Sequence, residues 1–355
     1  MELLHELRQK IDNFDDQLLE LLNERMKVVK AVGELKNQEK SIIYRPEREK
    51  SIIDRLETQS QGALNRTAIE AIFQEIFAVS RNIELPEKVC YLGPEGSFTH
   101  QAAESRFGGM SEYIPLRNIR SVFDNVETGR VRFGVVPIEN NQEGSVAETI
   151  DMLCEKDVKI VAELPMPIQF SFASLEDNTK NIETIYSKDI AFRQCREFLQ
   201  DYFGEHVRFI EVSSTSKAAK LALQNPNSAA ICSHIAAKLY GLPILFDNIE
   251  DSKDNVTRFL ILAKDFVNQK SNEDKTSILA KLPDEPGGLV AFLQEFSERG
   301  INLTKIESRP ARIKDSFKYW FLIDFDGHYH DAPVREVIDQ NPGTVTFLGS
   351  YVKLC

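Results

Sequence analysis

Tryptophan occurs once in 355 residues and cysteine five times. Cys90, Cys154, Cys195, Cys232 and Cys355 are widely spaced, odd in number and form no CxxC. That pattern argues against a disulfide framework and a structural zinc, and suits a reducing compartment. The six histidines are scattered. His328 and His330 flank one residue of an apparent turn, where exposure to solvent is expected. A metal site is therefore not expected. No apolar stretch approaches the length that crosses a bilayer. The opening MELLHELRQKIDNFDD lacks a basic segment followed by an apolar one, so no secretory signal is expected and the chain reads as cytoplasmic. Positive charge is in deficit: 43 Lys and Arg stand against 55 Asp and Glu, a net −12. Nucleic acid and anionic membranes are thus unexpected partners. An anionic substrate would be repelled by the bulk field and would need a local cluster of Arg and Lys.

What is present is globular: 42% hydrophobic and 28% charged residues. The length suits two to three domains. Residues 1–84 read as all helix. Leu4, Leu7, Ile11, Phe14, Leu18, Leu21, Val28, Val32 and Leu35 form a 3,4 repeat without proline. Pro46 suits the opening of a second helix, where its missing N–H costs nothing. A third helix runs from about Asn65 to Glu84, with Ser80 on its apolar stripe beside Ile69, Ile72, Phe73, Ile76 and Ile83.

After LPEKVC (85–90), short β-rich runs alternate with helical stretches to about residue 266, which argues for two α/β lobes. The runs include KVCYL, VRFGVVPI, VKIVAEL, ETIYS, SAAICS and TRFLILA; AFRQCREFLQDY and SKAAKLALQ read as helices. A polar linker, VNQKSNEDK (267–275), precedes a strand–helix–strand–strand–helix–strand order, that of a ferredoxin-like unit. The expected domains are 1–86, all-α; 87–268, two-lobed α/β; and 269–355, βαββαβ.

A cation on an apolar seam is costly unless paired. Arg25 occupies a seam position, and Lys36, eleven residues on, shares its helix face. Arg8 lies on the same helix and Arg48 near the start of the next. Four cations near apolar seams suggest an anion site inside a bundle, although Arg8, Lys36 and Arg48 could equally be flank residues reaching solvent.

The elements LRQKI, LLNERMKVVKAVGELK, YRPERE and EIFAVSRNIE resemble the all-helical chorismate mutases across the whole first segment. The resemblance implies an intertwined homodimer in which each site borrows Arg8 from the partner's long helix. Arg25, Lys36 and Arg48 would come from the home subunit, Glu49 would bind the substrate hydroxyl, and Ser80 and Glu84 would line the site. The chemistry suits these residue types. Chorismate carries two carboxylates for bidentate arginines. Its pericyclic rearrangement needs only a held conformer and a cation at the breaking ether oxygen, for which Lys36 is suited. Arg45 departs from an acid common in the family, and Glu84 stands where glutamine is also common. A glutamate donates only when protonated, so mutase activity is expected to weaken as Glu84 ionises.

GPEGSFTHQAA (93–103), GVVPIENNQEGSV (134–146) and NVTRFLIL (255–262), with YSKDIAFRQC, VSSTSKAA and AAICSHIAAKLYGL between the last two, resemble the prephenate dehydratases. In that family two lobes close on prephenate, and because aromatisation drives the step the resemblance implies that no cofactor is required. The resemblance makes Thr257 the catalytic hydroxyl and places Asn140, Ser187, Gln194 and Thr215 on the substrate. Arg258 is a carboxylate-binding candidate, with a structural salt bridge equally open; Phe259 and Cys195 read as core. Lys188-Asp189 departs from the histidine-proline pair of some relatives.

GGLV, with Gly287, Gly288 and Leu289, and ESRP, with Glu307, Ser308, Arg309 and Pro310, resemble the ACT-type regulatory domain. The resemblance implies L-phenylalanine as an allosteric inhibitor bound at a subunit interface. Taken together, the three segments resemble a bifunctional chorismate mutase/prephenate dehydratase of phenylalanine biosynthesis in the shikimate pathway. Two other readings remain open on the residues: an amino-acid sensor with a two-lobed binding unit, and a chain with one activity whose helical seam is only a coiled-coil interface.

Overall fold

The computed structural model describes residues 2–38, 44–85, 87–204, 207–271, 273–310 and 319–353. Pro86, Asn272, Lys318 and Cys355, which the sequence reading placed in linkers, a strand and the cysteine pattern, lie outside the described residues. The chain divides into two compact units, residues 1–87 with 107–112, and the remainder.

The first unit is helical: α1 (Glu2–Gln38), α2 (Pro46–Gln59) and α3 (Arg66–Glu84). Pro46 opens α2 as expected. Asn65 caps α3, its side chain accepting from the Ala68 N–H at 3.0 Å. Ile53 of α2 and Ile69 and Phe77 of α3 form a small core. The C-terminal part of α1 lies close to α3 at Gly33, where an added Cβ would meet Glu84 Cγ at 3.1 Å. Most of the α1 seam is uncovered: Leu7, Ile11, Phe14, Leu18, Leu21 and Val28 are all exposed, Leu21 by 68%.

The second unit begins with β1 (Lys88–Leu92), α4 (Phe98–Phe107), β2 (Glu112–Leu116), α5 (Ile119–Glu127), β3 (Phe133–Asn140), β4 (Gly144–Ser145), α6 (Ala147–Glu155) and β5 (Lys159–Pro167). The chain then builds a second lobe from β6 (Ser171–Ser174), β7 (Thr184–Ser187), α7 (Asp189–Gln194), α8 (Arg196–Tyr202), β8 (Arg208–Glu211), α9 (Thr215–Gln224), β9 (Ser228–Cys232), α10 (His234–Tyr240) and β10 (Ile244–Phe246). It returns through β11 (Val256–Ala263), which inserts antiparallel between β3 and β5. The first sheet runs β2-β1-β3-β11-β5, with β4 beside β3; the second runs β10-β6-β9-β7-β8. Two crossings therefore join the lobes, and they are tied where the Ile168 N–H donates to the Asn255 carbonyl at 2.8 Å.

One helix differs from the sequence reading. AFRQCREFLQDY breaks at Cys195, between α7 and α8. The Asp251 carboxylate accepts from the N–H groups of Arg196 and Glu197 at 3.0 Å each, and the Asp251 N–H donates to the Gln194 carbonyl at 2.7 Å. These bonds satisfy the helix ends that the break exposes.

The last segment has the expected βαββαβ order: β12 (Asp274–Ala280), α11 (Gly288–Glu298), β13 (Leu303–Pro310), β14 (Tyr319–Asp326), α12 (Ala332–Asp339) and β15 (Val345–Val352). The antiparallel sheet runs β13-β14-β12-β15. Strand β12 is buried along its whole length because both faces are covered. Ile278 and Ala280 pack under Phe292, Phe296, Val334 and Val337 of the two helices. Leu279 points the other way and joins Leu322, Leu348 and Tyr351 in one core with Ile160, Leu260 and Leu262 of the first lobe. His328 corrects the expectation of exposure: it is buried, its ring at 3.2 Å from the Asn268 carbonyl, while His330 is exposed. Burial lowers the His328 pKa and favours its neutral form.

Candidate active sites and effector face

In the helical unit, α1 and α3 bring four of the expected residues together. Arg25 donates to Ser80 Oγ at 2.6 Å, and Lys36 donates to Glu84 Oε2 at 2.8 Å. Arg25 and Lys36 are partly buried. Burial lowers the Arg25 pKa, with the Glu84 charge acting in the opposite sense. Arg48 is exposed, and Arg45 pairs with Glu47 at 3.6 Å. Arg8 is exposed and stands seventeen residues before Arg25 on the same helix. At 1.5 Å per residue it lies roughly 25 Å away along the axis, so it cannot serve the Arg25 site of its own chain.

Sequence reasoning missed Arg81. It is buried, donates to Glu49, lies 3.9 Å from Glu87 and sits 5.7 Å from the Tyr44 ring centroid. Glu49 is thus held by a neighbouring cation. Nothing local flags the pair, because the two residues are thirty-two apart in a charge-rich segment.

In the two-lobed part, strand register does the assembling. β11 pairs with β3 so that Thr257 stands opposite Asn140. Asn140 Nδ2 donates to Thr257 Oγ1 at 2.9 Å and to Asn255 Oδ1 at 2.7 Å. Asn140 Oδ1 accepts from the N–H groups of Gln142 and Glu143 at 2.9 Å each, which orients the amide. Asn255 Nδ2 donates to Gln194 Oε1 at 3.2 Å, and Gln194 Nε2 to Gln142 Oε1 at 3.1 Å. A cavity of about 220 Å³ is lined by Gln142, Arg193, Gln194, Glu250, Asp251, Ser252 and Asn255. Since Thr257 Oγ1 accepts from Asn140, its own hydrogen remains available to another acceptor.

The other expected residues are placed differently. Ser187 is fully buried and donates to the Ile231 carbonyl at 2.7 Å. Thr215 is the first residue of α9 and nearly buried. Phe259 and Cys195 are core, as expected, and burial pushes the Cys195 thiol pKa up.

Arg258 matches the salt-bridge reading. Its guanidinium pairs with Glu139 at 3.2 Å, Glu163 at 3.3 Å and Asp324 of β14 at 3.1 Å. Burial opposes its charge, but the carboxylates outweigh burial and raise its pKa. Lys275 adds a bond to Glu163 at 2.7 Å, and Lys305 one to Glu139 at 2.7 Å.

In the βαββαβ part, Gly287 takes a left-handed φ of +83° immediately before α11, a conformation glycine adopts without strain. A Cβ on Gly288 would meet the Pro283 carbonyl at 3.2 Å, and Leu289 is partly buried. Strand alternation divides the ESRP stretch. Glu307 accepts from Ser145 at 3.0 Å and Arg309 pairs with Asp151 at 3.1 Å, whereas Ser308 and Pro310 are exposed. No group of three or more His, Cys, Asp or Glu suited to a metal occurs among the described residues, and no described helix is long and apolar enough to cross a membrane.

A helical unit with cations on its seam, a two-lobed α/β unit with a hydroxyl–amide pair, and a ferredoxin-like sheet together define a multidomain enzyme with a regulatory module. Comparison with known proteins makes the class specific. The chorismate mutase type II family matches residues 7–85, prephenate dehydratase 89–266 and the ACT domain 276–343. A bifunctional chorismate mutase/prephenate dehydratase of Aquifex aeolicus is 43% identical over 360 residues, covering 99% of each chain, and one of Pseudomonas aeruginosa is 39% identical over 359 residues, covering 99% of this chain and 98% of its own. The crystal structure of an Arthrobacter aurescens prephenate dehydratase in complex with L-Phe superposes with a TM-score of 0.67 at 32% identity, over 75% of this chain and 90% of that one. The chain belongs to the bifunctional chorismate mutase/prephenate dehydratase family.

Proposed function

We propose that the chain converts chorismate to prephenate in its helical domain, residues 1–86, and prephenate to phenylpyruvate in residues 87–268, under feedback by L-phenylalanine at residues 269–355. The observation that carries the second step is the Asn140–Thr257 contact, which Asn255 connects to the interlobe cavity. Thr257 gives its hydroxyl proton to the departing ring hydroxyl, which leaves as water. The electrons of the ring–carboxylate bond move into the ring as carbon dioxide departs, and aromatisation drives the step. Solvent returns a proton to Thr257. Atoms and charge balance without an oxidant or reductant.

For the first step, Arg25 binds a carboxylate and Lys36 faces the ether oxygen, with Arg48, Glu49, Ser80 and Glu84 lining the site. Arg8 enters from a second copy of the chain. The uncovered apolar stripe of α1 and the reach limit on Arg8 both support a homodimer. For the regulator, Gly287, Gly288 and Leu289 present backbone at a helix start. Glu307, Ser308, Arg309 and Pro310 line the edge strand, where the effector's charged groups would be read. The L-Phe complex of the Arthrobacter aurescens relative supports this assignment. Feedback requires that phenylalanine favour a less active state and that substrate weaken phenylalanine binding in turn. We place the enzyme in the cytoplasm.

The test is purified chain with chorismate and no added cofactor. Prephenate and then phenylpyruvate should accumulate, and phenylalanine should slow the second step. Arg25→Ala should remove the mutase step and Thr257→Ala the dehydratase step, each by at least about 100-fold, the scale of losing a positioned transition-state donor. Full turnover of prephenate by Thr257→Ala would overturn the assigned chemistry.

A further inference from the structure

Asn255 is 4% exposed and stands two residues before Thr257, at the end of the chain's return from the second lobe. Its carbonyl accepts from Ile168 on the outgoing crossing, so its backbone is fixed where the two crossings meet. Its side chain uses both ends: Oδ1 accepts from Asn140 in the first lobe, and Nδ2 donates to Gln194 in the second. Asn140 in turn donates its remaining hydrogen to Thr257 Oγ1. One side chain thus joins an amide that sets the threonine hydroxyl to a glutamine on the opposite lobe.

We propose that Asn255 is a positioning residue of the dehydration step. It holds the Asn140 amide on Thr257 Oγ1 and links that orientation to the placement of Gln194 across the cleft. The inference rests on Thr257 as the proton donor and deepens that reading. With Asn140 donating, Thr257 must spend its own hydrogen elsewhere, and a hydroxyl that already accepts a bond is the better donor. Without Asn255, the second hydrogen of Asn140 and the Gln194 oxygen both lose their partner. The amide would then shift towards the Val256 carbonyl, which already lies at 3.3 Å from Asn140 Nδ2. Displacing a positioned group by about 1 Å costs on the order of 100-fold in turnover.

Two nearly isosteric variants separate positioning from packing. Asn255→Leu keeps the volume and loses both bonds. Asn255→Asp keeps the acceptor for Asn140, and Gln194 can turn its amide to donate to it. In steady-state assays on prephenate with the full-length protein, Asn255→Leu should lower dehydratase kcat by about 10- to 100-fold. KM should change far less, and Asn255→Asp should recover much of the lost kcat. Equal kcat in both variants, whether near wild type or uniformly low, overturns the proposal, as does a loss confined to KM. Should the leucine variant fail to fold, a folded Asn255→Asp protein with kcat as low as that of Thr257→Ala is equally decisive against it. Thr257→Ala, assayed alongside, separates the two levels. If it retains turnover, the proton-donor assignment fails; if it is inactive while Asn255→Leu is fully active, the positioning role alone fails.

Discussion

Lys36 and Glu84 form a pair at 2.8 Å in which the carboxylate occupies an ammonium that the mutase step is proposed to need. An ether oxygen only accepts, and a carboxylate only accepts, so Glu84 can help that oxygen only when protonated. Glutamine at the same place would donate at every pH. Glu84→Gln should therefore match or exceed the wild-type mutase rate, because it supplies a donor and releases the Lys36 ammonium from the ion pair. Initial rates of chorismate loss by the two proteins measure this, and a Glu84→Gln rate well below wild type would show that the carboxylate itself is needed. Arg25 was legible as a candidate site residue because a cation interrupts an apolar series, and the structure gives it a hydroxyl partner. Arg81 and Asn255 were not. Arg81 depends on a carboxylate thirty-two residues away, and Asn255 on a strand register that joins it to residue 140. Neither dependence leaves a mark in the local text, where an asparagine before a strand reads as an ordinary turn residue.

Elements were legible wherever local chemistry agreed with the fold. Pro46 and Asn65 announced two helix starts, and the apolar periods of β12 to β15 and their helices announced the ferredoxin-like order. The break at Cys195 was hidden because its cause is Asp251, a long-range cap with no local signal. Gly349 shows an element constrained by its neighbour. It lies within β15 at φ +153°, and a Cβ there would fall 2.1 Å from the Ile160 carbonyl oxygen on β5. No rotamer relieves a collision with backbone, so β15 would have to separate from β5 and open the core around Leu348 and Tyr351. Gly349→Ala should destabilise the second unit by about 3 kcal/mol. Its calorimetric transition should then fall by about 6–12 °C. A shift below 2 °C, within the approximate scatter of surface substitutions, would mean the strands yield without loss.

At the scale of the whole second unit, the dehydratase and ACT sheets are joined by charge as well as by a common core. Arg258, Lys275 and Lys305 meet Glu139, Glu163 and Asp324, three cations against three carboxylates, and Ser277 donates to Asp324 at 2.7 Å. Removing one member of such a set leaves its partner desolvated, which is why breaking a network costs more than the network contributes. Glu139 reports on this directly. Burial alone would raise its pKa, but the Lys305 hydrogen bond and the Lys305, Arg258 and Lys275 charges outweigh burial and hold it below the usual carboxylate range. A carboxyl depressed in the folded state stabilises fully above its unfolded pKa, near 4.3. That contribution is lost as pH falls through the lower folded value. The melting temperature of the wild-type second unit should accordingly decline below about pH 4.5. Lys305→Met should lower it near neutrality and flatten the acid decline, because the Glu139 carboxyl then returns towards its unfolded pKa. Calorimetry of both proteins between pH 3 and 7 tests this, and parallel curves would show that Lys305 does not set the Glu139 ionisation. The same bridge places Arg258, the immediate neighbour of Thr257, in contact with Asp324 of the ACT sheet. The physical connection from the ACT sheet to the strand of Thr257 is therefore one guanidinium long, and Glu139, whose ionisation the melting experiment follows, pairs with that same guanidinium at 3.2 Å.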